Sequence, residues 1–284
     1  MDEAVTVVVA TRDRRRELLA TLGRHRAPVI VVDNASRDGT PEAVRAAYPS
    51  VEVIRLRENR GAAARNVGAV RARTRYVAFA DDDSYWEDGA LGHAVDLLDV
   101  HPRTALVAAT VLVGPEGRLD PVSVEQARGL LGTPDGAPGP SVLGFLSCSV
   151  VVRRDAFLAV GGFAPLLHVY GEEALLAMDL AAAGWHLSYA AELRVRHLPS
   201  GQGRDVRARR RREARNRVLT ELLRRPLPHA GRTVWRTLGD ADGRRGLVDA
   251  AAMLSAVLRG RRVVPARVEA DLRLLEQPGH RHRS

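Results

Sequence analysis

Three consecutive carboxylates, Asp81, Asp82 and Asp83, follow the apolar run Tyr76-Val77-Ala78-Phe79-Ala80 without a break. Two carboxylates two residues apart can share a hard divalent cation through oxygen ligands. Mg2+ or Mn2+ suits such a pair, because these ions typically take one or two protein carboxylates and complete their shell with water and substrate phosphates. A metal held there would neutralise charge building on a departing diphosphate. The bland alternative is an acidic surface turn capping the next helix, and the position directly after a buried strand weighs against it. The single cysteine, Cys148, excludes an intrachain disulfide and any cysteine-built zinc or iron–sulfur site, and it reads as a small core residue.

The elements that must position these carboxylates follow from periodicity. β-branched runs at residues 5–10, 29–32, 51–56 and 76–80 alternate with amphipathic segments at 14–24, 40–47 and 61–73, the pattern of parallel strands joined by helical crossovers. Thr40 is placed to cap the second helix, with Pro41 at its first turn. In an open parallel sheet, ligands bind at the carboxyl ends of the strands. That edge collects Thr11-Arg12-Asp13, Asp33-Asn34 and Asp81-Asp82-Asp83.

Farther on, the pattern predicts a helix at 89–100, a strand at 105–113 and a Gly/Pro-rich loop at 129–140. A strand at 150–152 and a short helix from Arg154 to a stop at Gly161-Gly162 come next. A helix at 172–183 closed by Gly184 precedes a strand-like run at 193–196. A turn at 201–203 leads into an arginine-rich helix at 206–224, then a weakly amphipathic segment at 247–258 and a frayed end at 277–284.

At 284 residues, 45% apolar and 27% charged, the composition is that of a globular chain, and aromatics at 4% leave Val, Leu and Ala to fill the core. No apolar stretch approaches the ~20 residues that span a bilayer. The opening Met1-Asp2-Glu3 runs straight into a strand with no signal-peptide pattern, which makes the cytoplasm the default compartment. The net charge of +9 comes from arginine alone, and much of it lies between Arg204 and Arg225. Residues 207–212 could meet anionic lipid headgroups at the inner membrane face, or could be a solvated helix face in a chain of biased coding. The absence of zinc-finger spacing and the few aromatics for base stacking speak against nucleic acid.

Five segments in order resemble glycosyltransferase family 2, inverting enzymes with the Rossmann-like GT-A fold. They are Val7-Val8-Val9-Ala10-Thr11-Arg12-Asp13-Arg14, Val31-Val32-Asp33-Asn34-Ala35-Ser36-Arg37-Asp38-Gly39-Thr40, Asn59-Arg60-Gly61 with Ala64-Arg65-Asn66-Val67-Gly68, Phe79-Ala80-Asp81-Asp82-Asp83, and Gly161-Gly162-Phe163 followed by Tyr170-Gly171-Glu172-Glu173. The resemblance covers roughly residues 5–217. It implies an α/β fold with a mostly parallel central sheet flanked by helices. It further implies a catalytic domain over 1–205, with a nucleotide half to about 100 and an acceptor half beyond, and an arginine-rich helical extension over 206–284.

Carried onto this chain, the resemblance puts Thr11 beside the donor nucleotide, Asp33 on its base and Arg65 near its phosphates, with Arg12, Asp13, Asn34 and Asp82 in the same donor site. Asp83 becomes the principal metal ligand, Asp81 lies nearer the ribose or binds the metal indirectly, and His197 stands near metal or diphosphate. An inverting transfer needs a base for the acceptor hydroxyl. The family's Glu-Asp pair reads Glu172-Glu173 here, so the base role falls to Glu173, one methylene longer than the usual aspartate. His168, Tyr170 and Arg215 are candidates for acceptor or phosphate contact.

The implied reaction moves a sugar from a nucleoside diphosphate donor to a saccharide or lipid-linked acceptor. Two other readings stand beside it. One is a nucleotidyltransferase, against which the absence of a glycine-rich phosphate loop after the first strand counts. The other is a non-catalytic relative that binds polyanions through its arginine-rich helix. Donor sugar, nucleotide base, acceptor and oligomeric state are not written in these motifs.

Overall fold

The computed structural model describes residues 4–199 and 205–277. Its strands are β1 (Val5–Thr11), β2 (Val29–Asp33), β3 (Glu52–Arg55), β4 (Tyr76–Asp81), β5 (Ser84–Trp86), β6 (Thr104–Val113), β7 (Arg118–Leu119), β8 (Val150–Arg153) and β9 (His186–His197). They form one sheet in the order β3-β2-β1-β4-β8-β6-β9-β5, with β7 pairing β6. Strands β1–β4 run parallel to one another, and β6 with β9 continues that direction. The exceptions are β8, antiparallel between β4 and β6, together with edge strands β5 and β7. The central strands are buried on both faces, which is why they read as unbroken apolar runs rather than alternating ones.

Helices α1 (Arg15–Leu22), α2 (Thr40–Ala47), α3 (Ala64–Arg71), α4 (Ala90–Val100), α5 (Pro121–Ala127), α6 (Arg154–Ala159) and α7 (Glu172–Ala182) accompany the sheet. One core packs α1, α2 and α4 on one face through Leu18, Leu22, Val44, Leu91 and Leu98. The other packs α3, α6 and α7 through Ala64, Ala69, Phe157, Leu176 and Leu180. The sparse aromatics are concentrated there: Phe79, Phe157 and Phe163 stack mutually at 5.2–5.5 Å. Gly68 lets α3 press onto β1, since a Cβ there would stand 2.4 Å from Val8.

Register sets the functional edge. Thr11 pairs with Asp33 and Ala10 with Asp81, so the polar residues ending three strands stand side by side. These strands run one residue farther than the apolar pattern indicates, because Thr11, Asp33 and Asp81 still take part in the ladders. Gly39, at φ +78°, precedes α2, and Thr40 is its first residue. Thr40 donates through its amide (3.0 Å) and hydroxyl (2.5 Å) to Asp38 rather than capping the helix itself.

The strand expected at 193–196 is the second half of β9. Ala109 pairs with Ala190 and the next residue, Thr110, with Arg194, so residues 191–193 bulge out and break the alternation that periodicity relies on. The short elements β5, β7 and α5 were below the reach of pattern reading.

Beyond residue 205 come α8 (Val206–Arg224), α9 (Leu227–Thr237), α10 (Ala241–Ala251), α11 (Leu254–Gly260) and α12 (Ala266–Leu275). The single segment expected at 247–258 is two helices, and the break brings both Ala250 and Val257 onto one apolar cluster with Leu167, Leu175, Val218, Leu219 and Leu223. A second cluster joins Leu143 and Met178 to Val264 and to Val268 and Leu272 of α12. The C-terminal helices therefore share cores with the sheet-bearing part. The turn expected at 201–203 and the frayed end, save Gln277, lie outside the described residues. Among those residues, no helix is long and apolar enough to cross a membrane.

Candidate active site

The turn after β4 organises the acidic run. Ser84 Oγ accepts from the Asp81 amide at 2.8 Å, Thr21 Oγ1 donates to the Asp82 carbonyl at 2.8 Å, and the Leu198 amide donates to the Asp83 carbonyl at 2.7 Å. Antiparallel pairing of β5 with β9 sets Ser84 opposite His197 and so brings the imidazole to Asp83, with Nε2 3.2 Å from Oδ1. One ligand atom each from Asp81, Asp83 and His197 lie within 4.8 Å of one another. Two carboxylates and an imidazole are a donor set that Mn2+ or Mg2+ accepts, though oxygen is the preferred ligand of both.

Burial alone would lower the His197 pKa. The hydrogen bond to Asp83 and the charges of Asp83 and Asp81 outweigh it and raise the value.

Asp82 turns the other way. Its carboxylate accepts from Thr11 Oγ1 at 3.0 Å and from Arg14 Nε at 3.2 Å, while Arg14 Nη2 reaches Asp83 Oδ2 at 2.7 Å. Burial pushes the Asp82 carboxyl up to about 7, with Arg14 opposing and its two neighbouring aspartates adding.

At the end of β2, Asp33 is fully buried. Its Oδ2 accepts from the Ser36 amide at 3.1 Å, whereas Oδ1 has no partner among the described residues. An orphaned buried acceptor at the ligand edge suits an N–H donor, such as one on a nucleotide base. Asn34 braces the next loop, donating to the Gly61 carbonyl and accepting from the Arg60 amide, both at 3.0 Å. Asp13, at φ +51°, accepts from the Arg37 amide at 2.7 Å and holds the loop after β1. Arg12 makes a solvent-exposed pair with it, at 3.4 Å.

Arg65 projects from α3 and is buried. Its guanidinium pairs with Asp81 and lies 5.8 Å from the centre of the Phe163 ring.

Glu172 and Glu173 open α7 behind Gly171, whose φ of +84° ends the preceding loop, and a helix N-terminus favours carboxylates. Ser147 Oγ donates to Glu173 Oε1 at 2.6 Å. Glu172 is 3% exposed, and its Oε2 has no hydrogen-bond partner among the described residues. Burial first, and the charge of Glu173 second, push the Glu172 carboxyl up to about 8. At neutral pH Glu172 is therefore held protonated. The Cys148 thiol, beside Ser147, is buried and pushed up, which removes it as a nucleophile.

The loop leading to Gly171 is held from α8. Asn216 Nδ2 donates to the carbonyls of Leu167, Val169 and Tyr170 at 2.6–2.8 Å, and Arg215 Nη2 donates to that of Leu167 at 2.9 Å. His168 and Tyr170 have φ of +64° and +75°, a conformation that needs such bracing. The His168 carbonyl accepts from the Ala62 amide at 2.6 Å, tying this loop to the start of α3. Burial, then the nearby arginines 212, 215 and 12, keep the His168 imidazole neutral. Tyr170 lies under Arg209, 5.2 Å from ring centre to guanidinium carbon.

Sequence reading gave no role to Arg14 or Ser147. The basic run 12–16 was a signal for the first, whereas a lone serine before a strand gives none. Asn216 belongs to the Arg215-Asn216-Arg217 triplet, which resembles a family feature expected near the acceptor or a donor phosphate, and it braces the loop before Gly171.

The sequence profile of glycosyl transferase family 2 matches residues 6–161. A pre-mycofactocin glycosyltransferase of Mycobacterium tuberculosis is 32% identical over 218 residues, which are 72% of this chain and 45% of that protein. An N-acetylglucosaminyl-diphospho-decaprenol L-rhamnosyltransferase of the same species is 26% identical over 62% of this chain and 68% of its own length. This chain thus spans less than half of the first relative.

Among solved structures, a mannosyltransferase from Pyrobaculum calidifontis in complex with GDP-Man and Mn2+ superposes with a TM-score of 0.61 at 22% identity, covering 98% of this chain and 81% of that one. S. aureus TarS in complex with UDP-GlcNAc gives 0.60 at 18% identity, over 94% and 83%. At these identities the likeness concerns the fold, which is that of the GT-A glycosyltransferases.

Proposed function

The chain belongs to glycosyl transferase family 2, and we propose that it is a glycosyltransferase that moves a sugar from a nucleoside diphosphate donor to a hydroxyl of a saccharide or lipid-linked acceptor, with inversion and with metal assistance. The observation that carries this reading is the coupling of two carboxylate sets through Arg65. It pairs with Asp81 of the Asp81/Asp83/His197 cluster and lies in the field of Glu172 and Glu173.

In this reading, Asp83, Asp81 and His197 would hold Mg2+ or Mn2+, which when bound neutralises the leaving diphosphate. Thr11 and Asp33 receive the nucleoside, the latter through its free Oδ1, and Arg12, Asp13, Asn34 and Asp82 shape the walls of that site. Arg65, released in part from Asp81 when a donor binds, would turn its planar fork toward phosphate oxygens. Glu173, oriented by Ser147, takes the proton of the acceptor hydroxyl beside a Glu172 that burial holds protonated. Tyr170, His168 and Arg215 border the acceptor side.

The proposal assigns residues 1–205 to catalysis and 206–284 to a helical extension. It also sets the enzyme at the cytoplasmic side of an anionic membrane, in peripheral contact. The names of the relatives, which include transfer to a decaprenol-linked acceptor, support the acceptor class without fixing it.

The test is transfer from UDP-, GDP- and dTDP-sugars to saccharide and lipid-linked acceptors, with the anomeric configuration of the product read by NMR. Inversion is expected, with a loss of about 10²–10⁴-fold in kcat for Glu173→Gln at unchanged nucleotide affinity. Retention, or full activity of Glu173→Gln, overturns the assignment.

A further inference from the structure

Exposed large apolar side chains are unevenly distributed. Of the thirteen, eight lie from Val206 onward: Val206, Leu227, Trp235, Leu238, Val248, Leu254, Leu258 and Val263. Three of them sit on or just beyond α9 at helical spacing, Leu227, Trp235 and Leu238, exposed 62%, 77% and 47%, with Gly231 on the same stripe. A tryptophan three-quarters exposed on an amphipathic helix is an unusual surface feature in a protein whose other two tryptophans, Trp86 and Trp185, are wholly or partly buried.

Two cations flank this stripe. Arg232 and Arg236 share a surface pocket with Trp235, Pro228 and Gly231, and no acidic residue among those described lines it. Arg236 also reaches an adjoining cavity of 930 Å³ of mixed charge, where Arg207, Arg210 and Arg217 of α8 stand among Glu213, Glu221, Asp240, Asp242 and Glu276. Salt bridges elsewhere on these helices join Arg209 to Glu213, Arg211 to Asp249 and Arg224 to Asp179. By contrast Arg207, Arg210, Arg217, Arg232 and Arg236 have no acidic partner among the described residues.

We infer that α9 lies in the interface plane of an anionic phospholipid bilayer, with Leu227, Trp235 and Leu238 among the acyl-chain carbonyls and Arg232 and Arg236 on lipid phosphates. Tryptophan takes such positions because its ring is apolar and its N–H is polar, and arginine stems can lie along apolar surface while the guanidinium stays at phosphate level. The inference rests on the peripheral membrane contact in the proposed function, moves its centre from residues 207–212 to α9, and is independent of the transfer chemistry.

The test uses the full chain and vesicles of phosphatidylcholine alone or with 30% phosphatidylglycerol (about 30%, enough to give a negative surface), followed by co-sedimentation and tryptophan emission. Binding is expected only to the anionic vesicles, with a blue shift that Trp235→Ser removes. Trp235→Ser/Leu238→Ser should weaken binding by at least about tenfold, and Arg232→Ser/Arg236→Ser by about 30-fold with a shallower salt dependence.

All substituted positions are exposed, so circular dichroism and nucleotide affinity measured without vesicles should match the wild type. Failure of nucleotide binding in the wild type bears on the transferase reading alone. No preference for anionic vesicles, or anionic binding with no change at Trp235, overturns the inference. So does self-association that Trp235→Ser abolishes in place of vesicle binding, which would make a second copy of the chain the occupant.

Discussion

Replacing Glu172 by Gln tests the electrostatics at the head of α7. The Glu172 carboxyl ionises near 8 in the folded chain and near 4.5 when solvated. Between those values the folded state holds a proton that the unfolded state has released, so wild-type stability falls as pH rises through the window and levels off above it. The slope is about 1.4 kcal/mol per pH unit.

Gln mimics the protonated carboxyl and does not titrate, so the variant escapes this loss. It should be close to wild type at pH 5 and more stable by roughly 2–3 kcal/mol at pH 7, a Tm difference of roughly 5–10 °C. The adjacent charge of Glu173 spreads the transition over more than one pH unit. Thermal melts of both proteins from pH 5 to 9 give the answer directly. Melting curves that stay parallel from pH 5 to 8 would refute the claim that Glu172 is held neutral.

Ser147→Ala removes the hydrogen bond that orients Glu173. It should lower kcat about tenfold with donor KM unchanged, a positioning effect that Ser147→Thr partly restores. Asn216→Ala strips a shared donor from three loop carbonyls and should cost about 2–3 kcal/mol, seen as a Tm drop of roughly 5–10 °C and faster proteolysis within residues 164–171. Gly61→Ala sets a Cβ 2.1 Å from the His168 carbonyl carbon's oxygen at a φ of +58°. Loss of acceptor use is expected before loss of nucleotide binding, read by comparing the two KM values.

The parallel half of the sheet was legible because its strands are long, apolar and buried on both faces, as in 5–10 and 76–80. Its polar ends announced the ligand edge for the same reason, since Thr11, Asp33 and Asp81 break otherwise apolar runs. The second half was less legible. In β9 the bulge at 191–193 interrupts the alternation, and β5 is three residues long, yet β5 is what carries Asp83 to His197.

Among site residues, acids in a run could be found from sequence and the resemblance supplied Arg65 and His197, whereas the remaining partners could not be read. Arg14 crosses from the residue before α1 to Asp83, Ser147 reaches Glu173 across 26 positions and Asn216 reaches Tyr170 across 46. Such pairings depend on how helices settle on the sheet, and a single sequence does not encode them in any local pattern.

Metal-dependent nucleotide binding bears most directly on the central claim. In calorimetric titrations of UDP, GDP and dTDP with and without Mn2+, one nucleotide should bind in the presence of metal only, and Asp83→Ala should weaken it by about 100-fold or more. Equal, metal-independent binding by wild type and Asp83→Ala, or no binding of any of the three, would contradict the account.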